Sequence, residues 1–135
     1  MVELQSTYIT NDIRNRIMNV DNTDKEAVMD ICIQHAHDVV QEVWSGGTVD
    51  PDTLQWEWNN RLRSSAGRYC SHPPTIELAW EYFEKHNWNE LLSIVRHELI
   101  HAWQHKHPDC NNIGHGPKFK QWLDDLETEK HCKYW

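Results

Sequence analysis

Residues 87–108 read NWNELLSIVRHELIHAWQHKHP, and this stretch decides most of the fold. Leu91, Leu92, Val95, Leu99, Ala102 and Trp103 recur at three- and four-residue intervals, which predicts one long helix from just after Asn87 to about Lys106. Pro108 stops it. Within the helix lies His97-Glu98-Leu99-Ile100-His101. Residues four apart share a helix face at about 6 Å, so both imidazoles can ligate one ion without bending the backbone. Glu98 sits beside the first of them, where a carboxylate can take a proton from water held by that ion. With ten His in the chain, an H-E-x-x-H string arises by chance in roughly one such sequence in twenty, so the motif argues through its periodic apolar setting. The bland alternative is a surface His pair on an ordinary helix.

A catalytic zinc site takes three protein ligands and leaves one position open. The metzincin pattern requires Gly three residues after the second His, and position 104 is Gln. Glu127 and Glu129 are downstream carboxylates within what reads as a charged helix end. His115, in Gly114-His115-Gly116-Pro117, is preferred: two glycines let the backbone approach a metal, and Pro117 suits a helix start. His105 and His107 lie further along the helix and are read as solvent-facing. Cys110, His131 and Cys132 offer a second site only with irregular spacing.

Working outward, Leu4, Ile9, Ile13, Ile17 and Val20 suggest a first helix within residues 1–20. Thr23 with Glu26 reads as a capping box for a second, whose stripe is Val28, Ile31, Cys32, Val39, Val43 and Trp44, with Gly46 and Gly47 ending it. Leu54, Trp56 and Trp58 alternate with polar residues as in a half-buried strand, and Ala66–Ser71 and Thr75–Leu78 read as two more around Ser71-His72-Pro73-Pro74. Helical spacing returns at Trp80, Tyr82 and Phe83. A last helix starts at Pro117 with Phe119, Trp122, Leu123 and Leu126. The expectation is a compact α+β domain spanning residues 1–135, with helices packed on a small three-stranded antiparallel sheet.

The chain's 135 residues hold 39% hydrophobic residues, enough for one modest core, and carry a net charge of -8. Residues 1–60 contain 11 acids and three bases, whereas the remainder is balanced. A cationic surface all over the molecule is excluded, so any nucleic-acid contact is local. No run suits a membrane span or a secretory signal, and the four cysteines lack C-x-x-C spacing; the chain reads as an intracellular monomer with reduced thiols.

The residues Arg61 to Cys70, Ile76-Glu77-Leu78, His97 to Ala102 and Gly114 to Phe119 together resemble the SprT-like metalloproteases, the family of the Spartan DNA–protein crosslink proteases. The resemblance covers roughly residues 20–127. It implies a zincin-like fold, zinc held by His97, His101 and His115, and Glu98 as general base of peptide hydrolysis. It also implies substrates held on DNA, often with single-stranded character. Many family members continue into a Cys-rich zinc ribbon, and the residues up to Trp135 are read as the metalloprotease domain without it. Arg61, Arg63 and Arg68, near Trp56 and Trp58, are the local candidates for DNA contact. Arg68, Tyr69 and His107 are the candidates for stabilising an oxyanion, and a substrate strand is expected along the sheet edge near Tyr69 to Leu78. A DNA-independent zinc peptidase and a non-catalytic zinc-binding interaction domain are the competing readings.

Overall fold

In the computed structural model, residues 6–45, 47, 49–62, 65–107 and 117–128 are described. The helices are α1 (Asn11–Asn19), α2 (Lys25–Trp44), α3 (Trp80–Lys85), α4 (Trp88–Lys106) and α5 (Pro117–Asp125), and the strands are β1 (Gln55–Trp58), β2 (Gly67–Ser71) and β3 (Pro74–Leu78). A single 3-10 turn, Pro51–Thr53, precedes β1. The architecture is α+β, with α4 packing against α2, α3, α5, β2 and β3.

Local chemistry explains the boundaries. Thr10 caps α1 by accepting from the Ile13 N–H, and Asn87 caps α4 by accepting from Glu90 N–H. The cap of α2 is Asp24, which accepts from Ala27 N–H, rather than Thr23. Thr23 instead bonds back to Asp21 through both its amide and its hydroxyl. The helix ends on Ser45 in the left-handed conformation, φ 53°, one residue before the glycines that the sequence marked. Residues 6–10 are not helical, so α1 starts later than its apolar spacing suggests.

The sheet is mixed, and the antiparallel expectation is corrected. Strand order is β1-β3-β2: β3 pairs antiparallel with β2 (Tyr69 opposite Ile76) but parallel with β1 (Trp56 opposite Ile76). Chain direction explains this: β1 ends and β2 begins at the same end of the sheet, beside Leu78, and β2 then turns directly back into β3. Leu78 O accepts from the Asn59 N–H, and Ala66 O from the Ala79 N–H, tying both ends of the β1–β2 connection to the end of β3.

The core is continuous. Ile76, Leu78, Leu91, Leu92, Val95, Leu99 and Ile100 meet Ile31, Cys32, Ala36 and Val39 of α2 and Phe119, Leu123 and Leu126 of α5, all buried. Trp44, Trp103 and Trp122 form a cluster joining α2, α4 and α5, with centroids 5.4–6.5 Å apart. Such contacts add about 0.5–1.5 kcal/mol per pair beyond area burial. Among the described residues no helix is long and apolar enough to cross a membrane.

Candidate metal centre

The motif residues fall on the buried middle of α4. His97 and Glu98 are each 2% exposed, His101 is half-buried, and their backbone is fixed by nineteen residues of continuous helix. The His97 and His101 rings lie 5.2 Å apart at 68°, and Glu98 Oε2 is 3.9 Å from His97 Nε2. Two imidazoles and a carboxylate therefore share one turn of α4, two of the three in the interior. Gln104 lies 2.7 Å from His101 Nδ1 through its Oε1. Because that oxygen only accepts, Nδ1 carries the proton and Nε2 is the nitrogen left with a lone pair.

Two neighbours set this geometry. Phe119 of α5 packs edge-on against His97 (5.1 Å, 71°) and tilted against His101 (4.6 Å, 31°). On the other side Gly67 of β2 lets the sheet approach: a Cβ there would lie 2.6 Å from Ile94 Cγ2 and 3.4 Å from Glu98 Cγ. The glycine admits Glu98 beside the strand.

The far end of α5 is clamped by Arg96, the residue before His97. Its Nε donates to Leu126 O (2.8 Å) and Nη2 to Glu127 O (3.1 Å), while Nη1 donates to His35 Nε2 (2.9 Å). A buried cation thus satisfies two carbonyls in the turn just beyond the C-terminus of α5 and favours the helix dipole. Burial pulls Arg96 down to about 10, and burial followed by the Arg96 charge pushes His35 down to about 3. Both groups keep their ordinary neutral-pH forms, charged Arg96 and uncharged His35. Sequence reading missed this clamp, which joins residues 61 positions apart.

The other sequence candidates divide. His115, Arg63, Cys110, Glu129, His131 and Cys132 lie outside the described residues. Glu127 is engaged elsewhere: its carboxylate accepts from Ser6 Oγ, Thr7 N and Thr7 Oγ1. Burial works to raise it, but the hydrogen bonds from Thr7 and Ser6 and the Arg96 charge hold it below the usual carboxylate range. Arg68 is exposed and ion-paired to Glu77 at 2.6 Å. Arg61 is exposed and lines, with Arg68, Glu57, Glu77 and Asn59, an open polar groove of about 590 Å³. Trp56 and Trp58 donate their indole N–H groups to Pro51 O and Lys25 O, and Trp58 meets Trp80 edge-on, so these rings serve packing.

Among the described residues one trio of His and Asp side chains has ligand atoms mutually within 4.8 Å: His37, Asp50 and Asp52. Sequence reading did not single it out. It is a candidate metal-binding group at the surface, with Asp52 76% exposed, His37 Nε2 2.9 Å from Asp52 Oδ1, and Asp50 already capping the 3-10 turn through Asp52 N–H.

A model of the SprT-like family matches residues 32–134. The chain belongs to the SprT-like family. Curated relatives named Protein SprT-like, from Bacillus cereus and Bacillus anthracis, are 36% identical over 77 residues, which is 56% of this chain and 49% of theirs. The chain spans about half the length of these SprT-like relatives. The matched region takes in α4, β2, β3 and α5, the elements that surround His97, Glu98 and His101.

Proposed function

We propose that this SprT-like chain is a zinc-dependent peptide hydrolase, built as one zincin-like domain. The observation that carries the reading is the placement of two imidazoles and a carboxylate on one turn of α4, with His97 and Glu98 buried and His101 half-buried. Two nitrogen donors with a third expected from His115 suit zinc, whose catalytic sites take three protein ligands. Zinc bound there supplies a Lewis acid and acidifies a water for attack on a carbonyl.

The chain's own residues do the rest. Gln104 holds His101 in the tautomer that presents Nε2, and Phe119 closes the interior side of both rings. Glu98 takes the proton from the attacking water and passes it to the leaving amine. The substrate lies extended along β2, an edge strand of the sheet, exchanging main-chain hydrogen bonds.

For substrates, the family resemblance supports proteins held on DNA. Arg61, together with Arg63, is the remaining cationic candidate, since Arg68 is committed to Glu77. That commitment, and the packing roles of Trp56 and Trp58, favour a second reading in which hydrolysis is independent of DNA. The test is cleavage of a DNA-bound protein by zinc-loaded wild type and Glu98→Gln, with and without single-stranded DNA. Cleavage that requires Glu98 and rises with DNA is the expected result. Glu98-dependent cleavage indifferent to DNA selects the second reading, and cleavage equal in the two proteins contradicts both.

A further inference from the structure

The face of β2 that meets α4 carries a second polar contact besides Glu98. Residues two apart project from the same side of a strand, about 6.6 Å apart. Gly67 faces Ile94 and Glu98, so Tyr69 faces the same helix further along. There Tyr69 Oη lies 2.8 Å from His105 Nδ1, one turn beyond His101. The ring of His72, whose Nδ1 is 2.7 Å from Ser71 Oγ, stands 5.9 Å from that of His105. A phenol is thus held at the helix surface by a long-range contact, on the edge strand along which the substrate is proposed to lie.

The other two groups considered for this task are spent. Arg68 belongs to the opposite side of β2, and Glu77 holds it through both Nε (2.8 Å) and Nη2 (2.6 Å). His107 stacks on Trp103 at 4.2 Å and 21°, with Nδ1 3.0 Å from Trp103 O, and Trp103 packs toward α2 and α5.

Resting on the hydrolase reading above, we propose that Tyr69 is a further catalytic residue, its phenol donating a hydrogen bond to the scissile carbonyl oxygen, with His105 as its positioning residue. A tyrosine oxygen accepts and donates at once. When His105 Nδ1–H donates to Tyr69 Oη, the phenol hydrogen is left to point outward. The carbonyl oxygen gains negative charge during attack, and a donor already aimed at it stabilises that charge without reorganisation. No proton changes hands. Burial, with the neighbouring Cys70, raises the phenol above its ordinary range, so it remains a donor at neutral pH.

The experiment uses the full chain loaded with zinc, β-casein as substrate, and a phosphonamidate analogue of the best-cleaved casein peptide. Tyr69→Phe is expected to lower kcat about 10²-fold with KM within twofold. It weakens the phosphonamidate by a similar factor relative to the parent peptide, because only the analogue mimics the charged oxygen. Zinc content and thermal midpoint stay at wild-type values. His105→Ala lowers kcat about tenfold, whereas His105→Asn, whose amide N–H replaces Nδ1–H, recovers most of it. Tyr69→Phe within twofold of wild type in both kcat and analogue binding, while Glu98→Gln is inactive, overturns this proposal and leaves the hydrolase reading standing. Equal losses in His105→Ala and His105→Asn overturn the positioning role. Undiminished cleavage by Glu98→Gln, or none by wild type, removes the hydrolase reading and this proposal with it.

Discussion

Among the described residues, two groups of potential metal ligands differ in nearly every physical respect. His97, Glu98 and His101 are carried by the interior of the central helix, two of them almost completely excluded from water. His37, Asp50 and Asp52 lie on the surface where α2 meets the 3-10 turn, in reach of solvent and of one another. The surface trio explains itself: Asp50 caps a turn and Asp52 pairs with His37. The interior group is held by packing on one turn of α4, with both rings against Phe119 and His101 bonded to Gln104. Proximity of donors at an exposed turn is therefore a weaker sign of a site than the same residue types gathered on one buried helix turn.

The widest separation between the two clusters is expected in activity. Glu98→Gln should reduce peptide cleavage by at least about 10³-fold at unchanged zinc content, while Asp50→Asn with Asp52→Asn leaves it within twofold, both followed on the same casein assay. A rate loss in the surface variant equal to that of Glu98→Gln would erase the distinction. Next in size is the clamp behind the interior group. Arg96→Met leaves two helix-end carbonyls and His35 without their donor, and should cost about 3 kcal/mol in urea unfolding. No surface-trio substitution approaches that, since exposed ion pairs contribute about 0–1 kcal/mol.

Gly67→Ala probes the other wall. The added methyl would collide with Ile94 Cγ2 at 2.6 Å, so a loss of about 1–3 kcal/mol is expected. Ile94→Leu, which removes that branch, should restore part of it; the same loss in the double variant would show that the contact is not the cause. The most gradual effect is a pH dependence. His35 is uncharged in the folded chain, with its pKa lowered to about 3, and titrates near 6.5 when unfolded. Between those values the unfolded chain holds the extra proton, so stability falls as pH drops from 6.5 toward 3, by up to about 1.4 kcal/mol per unit. In metal-free protein, His35→Gln should flatten that slope. An unaltered slope would mean that His35 is not buried neutral.

Much of this was legible from residues close together in sequence. The span of α4, its paired imidazoles and its stop before Pro108 follow from periodicity over nineteen residues. The sheet was less so, because alternation in Leu54, Trp56 and Trp58 reports which side of a strand is buried and nothing about direction or order. The cap at Asp24 was misplaced by one residue because Thr23 and Asp24 are both capable caps, and only Asp24 N–H to Asp21 O and Thr23 to Asp21 show which is spent on the turn. The Arg96–His35 clamp and the Tyr69–His105 contact join residues 61 and 36 positions apart. No local pattern announces such pairs, since the partners meet only after α2, β2 and α4 have packed.

The central claim is that the interior of α4, rather than the surface trio, holds the metal. Its most direct test is zinc content after exhaustive dialysis of wild type, His101→Ala, and the Asp50→Asn, Asp52→Asn double variant. The account predicts one zinc per chain in wild type and in the surface variant, and essentially none in His101→Ala. Zinc retained in His101→Ala but lost from the surface variant would contradict it.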